Sequence, residues 1–100
     1  MTARVCEVRV KKVDVAAKDN RPAYTFYNTS WLFDGGVLRG TTRMPQTFDE
    51  AKEWVAARVQ EGLIGATGSQ WDLVANICGK EITIHAERHR LVELIRGLTC

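Results

Sequence analysis

The stretch "WDLVANICGKEITIHA", residues 71–86, limits this chain's possible folds more than any other. Apolar and polar residues alternate on both sides of a Cys-Gly pair. Trp71, Leu73, Ala75 and Ile77 point one way, and Asp72, Val74 and Asn76 the other. After the pair, Ile82, Ile84 and Ala86 lie opposite Glu81, Thr83 and His85. A period of two marks a half-buried strand, and a glycine between two such runs marks a hairpin. A two-residue turn at Cys78–Gly79 pairs Ala75 with Ile82, Leu73 with Ile84 and Asp72 with His85. A four-residue turn keeps the same faces and moves the pairing by one step. Either way one face of the sheet is apolar, and another layer must cover it.

Two segments can supply that layer. In "PQTFDEAKEWVAARVQEGL", Thr47 and Glu50 form a capping box, and Phe48, Ala51, Val55 and Val59 recur at helical spacing beside Trp54. Gly62 reads as the stop. In "ERHRLVELIRG", Leu91, Leu94, Ile95 and Leu98 share a helical stripe that ends at Gly97. The first half of the chain supplies more strands. "RVCEVRVKKVDV" alternates up to Val10, then changes phase, because Val13 and Val15 have the opposite parity. A bulge near Lys11–Lys12 would keep them all on one face. Residues 16–22 read as a loop. "AYTFYNTSWLF", the turn signal Asp34-Gly35-Gly36 and "VLRGTTRM" complete a meander. The expectation is one α+β domain over residues 1–100, an antiparallel sheet in the order βββ-α-ββ-α with both helices packed on one face.

At 100 residues and 45% apolar content, such a chain needs neither metal nor disulfide to build a core. Three cysteines (Cys6, Cys78 and Cys100), with no Cys-x-x-Cys pair, argue against a disulfide framework or a thiolate zinc site. Cys100 reads as an exposed thiol able to bridge two chains on oxidation. No apolar run spans a membrane and the N-terminus does not resemble a signal peptide, so a cytoplasmic protein with no membrane contact is expected. The net charge of +2 is small, but residues 1–45 carry +4 and residues 46–100 carry −2. A basic front half suits an anionic partner or a solvated sheet face.

His85 and His89 are the only histidines. Four apart on a helix they could share a metal ion. Glu87, two residues from each, would then point away from both and could not act as their general base. If residues 81–86 are a strand, that geometry never arises, and His85 instead meets Asp72 across the hairpin. This polar pair is the one candidate for a small enzyme or ligand-binding site, and a structural role weighs more. No metal and no cofactor are expected.

The aromatic residues of the second strand carry the stronger signal. Tyr27, Trp31 and Phe33 have one parity and Tyr24 and Phe26 the other, so a single helical layer cannot bury both sets. Some aromatic surface is exposed or covered by another chain. With Arg39 and Arg43 on the neighbouring strand, the expected interface is Tyr27, Trp31, Phe33, Arg39 and Arg43. Such a surface suits a protein partner or a homodimer. A weaker alternative is single-stranded nucleic acid, stacked on aromatics and held by cations.

No phosphate-binding loop or nucleophile elbow is present, and the glycines of "GATGS" (residues 65–69) precede a strand rather than a helix. The meander followed by "TFDEAKEW", over residues 23–62, resembles in style the small accessory proteins of phages and mobile gene cassettes. That resemblance implies a binding or adaptor module and carries over no functional residues. The expectation is a small non-catalytic interaction module that self-associates.

Overall fold

The computed structural model describes residues 4–34, 36, 38–40 and 45–100. Five strands form one sheet: β1 (Arg4–Val15), β2 (Tyr24–Phe33), β3 (Arg39–Gly40), β4 (Gln70–Ile77) and β5 (Lys80–Glu87). Helix α1 (Phe48–Leu63) connects β3 to β4, and a 3-10 turn (Arg88–Arg90) leads from β5 into α2 (Leu91–Arg96). The chain is α+β, as expected, but the sheet is mixed. Its order is β3-β2-β1-β4-β5, and β1 runs parallel to β4 from Arg4↔Trp71 to Val10↔Ile77. The purely antiparallel expectation is corrected here. Hairpins fix the neighbours β1–β2 and β4–β5. The long helix α1 carries the chain back along the sheet, so β4 starts at the same end as β1.

Both helices cover one face. Cys6, Val8 and Val10 of β1, Trp31 of β2 and Trp71, Leu73 and Ala75 of β4 meet Ala51, Val55 and Val59 of α1 and Leu91 and Ile95 of α2 in one buried cluster. Thr47 Oγ1 accepts the Glu50 N–H at 3.1 Å and starts α1 as its sequence indicated. The stop is not Gly62. The helix continues to Leu63, and Gly65 takes the positive φ of 79° that ends it. Gly62 instead makes room for Phe33, since a Cβ there would lie 2.5 Å from Cε2 of that ring and would force it to shift.

The β4–β5 hairpin has the two-residue turn. Cys78 and Gly79 both have positive φ, and the register runs from Gln70↔Glu87 to Ile77↔Lys80. The expected bulge in β1 is absent. Pairing with β2 runs unbroken from Cys6↔Phe33 to Val15↔Tyr24. Beyond Val10, whose carbonyl accepts the Cys78 N–H at 2.8 Å, β1 has outrun β4. The rest of β1 and its β2 partner form a two-stranded arm. It is tipped by a turn at Asp19–Asn20 that Lys18 and Arg21 close with two backbone hydrogen bonds. The arm lengthens the molecule to 55 Å against 22 and 21 Å across.

Cys78 and Cys100 form a disulfide, Cα to Cα 5.5 Å, that ties the C-terminal residue to the β4–β5 turn. This corrects the reading of Cys100 as a separate exposed thiol. The two cysteines lie 22 residues apart, and only the return of α2 across the sheet brings them together. Cys6 is the free thiol, and burial, aided by the Asp34 charge, pushes it up to about 12, which makes it unreactive.

Candidate functional site

The sheet face away from the helices is open, and the unbroken β1–β2 register decides what it displays. Val13 and Val15 do not reach the core. They share the open face with their cross-strand partners Phe26 and Tyr24. Tyr24 is 54% exposed, and its ring stacks on Phe26 with centroids 6.1 Å apart. The result is a small apolar strip on the arm, beside the exposed Lys11. The phase change at Lys11–Lys12 was its signal in the sequence. That change marks where apolar residues leave the helix-covered face for the open one.

The expected interface residues divide differently. Tyr27 and Trp31 are core, each 8% exposed, so their assignment to an exposed interface is corrected. The Tyr27 ring packs against Phe48 with centroids 6.1 Å apart, and its N–H donates to the Pro45 carbonyl at 2.9 Å. Phe33 is half-buried with its ring edge-on to Trp71. These residues have the parity of the helix-covered face because α1 lands on them. Arg39 is exposed on β3, paired in register with Trp31. Arg43 lies outside the described residues. The sheet therefore brings the exposed Tyr24 together with the half-buried Phe26, Val13 and Val15 on its open face, in place of Tyr27, Trp31 and Phe33.

His85 and Asp72 meet as the hairpin register requires, with Nδ1 2.7 Å from Oδ1. The pair lies on the open face, and the imidazole is 62% exposed. His89 follows in the 3-10 turn with Nδ1 3.3 Å from Glu87 Oε2. The two histidines thus belong to different elements, and the shared-metal geometry does not arise. Among the described residues, no cluster of three His, Cys, Asp or Glu side chains has the arrangement to hold a metal ion. Glu7 and Arg9 on β1 pair with each other at 2.7 Å on the same face. The open face therefore carries paired polar groups at its centre and apolar surface on the arm.

A further polar cluster closes one end of the sheet. Arg4 stacks over the Trp71 ring at 4.6 Å, binds Asp34 at 2.6 Å and donates to the Thr67 carbonyl. The Val5 N–H bonded to Asp34, and then Arg4 beside it, hold the Asp34 carboxyl below the usual carboxylate range. Arg4 and Asp34 are both partnered within the chain, so the cluster reads as structural.

No protein-family model matches the chain, and no curated protein or solved structure is significantly similar to it. No helix among the described residues is long and apolar enough to cross a membrane.

Proposed function

We propose that this protein is a small binding module that works by self-association rather than by catalysis. The observation that carries the reading is the sheet face left open, with Tyr24 exposed and stacked on Phe26, and Phe26, Val13 and Val15 half-buried beside it on a projecting arm. A 100-residue chain that can bury its aromatics but displays these has an apolar surface suited to another protein surface. The His85–Asp72 pair supports an enzyme less well, because it stands on an open face with both groups already satisfied by each other. Kinship with the small accessory proteins of phages and gene cassettes belongs to the same proposal and rests on the pattern of residues 23–62.

The test is native mass spectrometry and sedimentation of the purified protein between about 1 and 100 μM. A mass above the monomer supports the reading, and a monomer across that range overturns it. The arm favours one second reading. Lys11 lies on the same open face and Lys18 and Arg21 at the tip of the arm, cations that with the aromatic pair can hold single-stranded nucleic acid. Binding of a labelled oligonucleotide that falls steeply with salt would select it, and no binding at low salt would remove it.

A further inference from the structure

We infer that β5 is the edge through which two copies of this chain join, in one defined register. The inference rests on the self-association proposed above and names its surface.

β5 is the last strand of the sheet, regular for eight residues, with no proline and no bulge. Such an edge is a template for another strand unless something protects it. Its hydrogen-bonding groups alternate. The two-residue turn closes on the pair Ile77↔Lys80, so Lys80, Ile82, Ile84 and Ala86 direct their backbone groups to β4. The Arg88 N–H donating to Ser69 at 2.9 Å continues the same phase. Glu81, Thr83, His85 and Glu87 therefore direct their N–H and C=O groups outward.

The edge alternates polar and apolar residues symmetrically about Thr83, with an acid at one end and an imidazole at the other: Glu81, Ile82, Thr83, Ile84, His85. Placing a second copy antiparallel about a two-fold axis at Thr83 puts each Glu81 opposite His85 of the other copy. Each Ile82 then faces Ile84 of the other copy, and Thr83 faces itself. With Nδ1 held by Asp72, the Nε2 side of each imidazole can hydrogen-bond a carboxylate across such a pair. Sliding the copies by two residues one way sets Glu81 against Glu87, two like charges. Sliding the other way leaves His85 facing a turn glycine and shortens the ladder. The like-charge clash on one side and the shorter ladder on the other leave the Thr83-centred register as the favoured one.

The apolar side agrees with it. Ile82 is 43% exposed, the largest opening of any apolar side chain in β4 or β5. With Ile84, Leu94 and Leu98 it lines an open groove between β5 and α2. The isoleucines of the second copy extend this row on the helix-covered side. The joined sheet has ten strands, both open faces on one side and an arm at each end.

Thr83→Pro tests the inference without breaking the hairpin, because it removes an N–H that points away from β4. Ile82→Lys places a charge in the isoleucine row and serves as the second variant. The full-length protein and both variants are compared by sedimentation, with circular dichroism to confirm the fold. Each variant is expected to weaken dimerisation at least a hundredfold, while Thr83→Val keeps it. A wild-type dimer that survives both folded variants overturns the β5 assignment and leaves self-association standing, with Tyr24→Ala and Phe26→Ala then expected to dissolve it. A wild-type monomer at 100 μM overturns both.

Discussion

Trp31→Ala separates the two parities of β2 more sharply than any other substitution. Trp31 is 8% exposed and sits in the cluster beneath α1. A buried tryptophan removes about 150–250 Å² from water, worth about 4–6 kcal/mol at about 25 cal/mol per Å² as an upper bound. Truncations of buried aromatics to alanine cost about 3–5 kcal/mol. Stability for a domain this size is about 5–15 kcal/mol, so the variant should lose a large fraction of it. At about 4–8 °C per kcal/mol, Tm should fall by at least about 12 °C. Tyr24→Ala, on the opposite face and 54% exposed, should cost under about 1 kcal/mol. The assay is urea unfolding followed by circular dichroism, with sedimentation of the folded material. If Trp31→Ala costs less than about 1 kcal/mol while lowering the solution mass, the placement of Trp31 in the core is wrong.

The remaining predictions concern stability. Thr29 is 4% exposed and its hydroxyl has no hydrogen-bond partner among the described residues, so Thr29→Val should stabilise by about 1 kcal/mol. A loss of stability in the same urea assay would mean the hydroxyl is bonded. Asp34 has a lowered folded-state pKa, so its contribution is present above the usual value of about 3.9 and lost as pH falls through the folded value. Asn tolerates the positive φ of 51° at this position, so Asp34→Asn should destabilise at pH 7, with the gap closing as pH falls below the ordinary carboxylate range. A gap that stays constant with pH would count against the charge. Cys100→Ser opens a loop that the disulfide closes across 22 residues and should cost about 3 kcal/mol against the oxidised protein. Equal melting of the two, with the bond confirmed by peptide mass mapping, would show that the bond does not constrain the unfolded chain. The bond also bears on location. It persists in an oxidising environment, while in a reducing cytosol the same residues would stand as two thiols at the end of β4 and the C-terminus.

The parts legible in the sequence are those fixed between near neighbours. The faces of β4 and β5 followed from alternation, and of the two turns it allowed the structure has the two-residue one, which sets Asp72 against His85. The start of α1 followed from Thr47 and Glu50. The separation of His85 from His89 followed from the strand reaching Glu87. The candidate surface was half legible. Alternation required one aromatic parity of β2 to be left uncovered, and the open sheet face leaves one so. Nothing local told Tyr27 and Trp31 from Tyr24 and Phe26, because either set satisfies the strand equally.

The chain by itself determined which segments form strands and helices and which strands neighbour along the hairpins, because period, capping and turn chemistry act over a few residues. Only the tertiary structure decided the parallel pairing of Arg4 with Trp71, the face on which α1 lies, the packing of Gly62 against Phe33 and the meeting of Cys78 with Cys100. Each joins residues far apart along the chain. Such contacts are selected by how whole apolar faces fit together, and that fit is a property of the assembled layers rather than of any one segment.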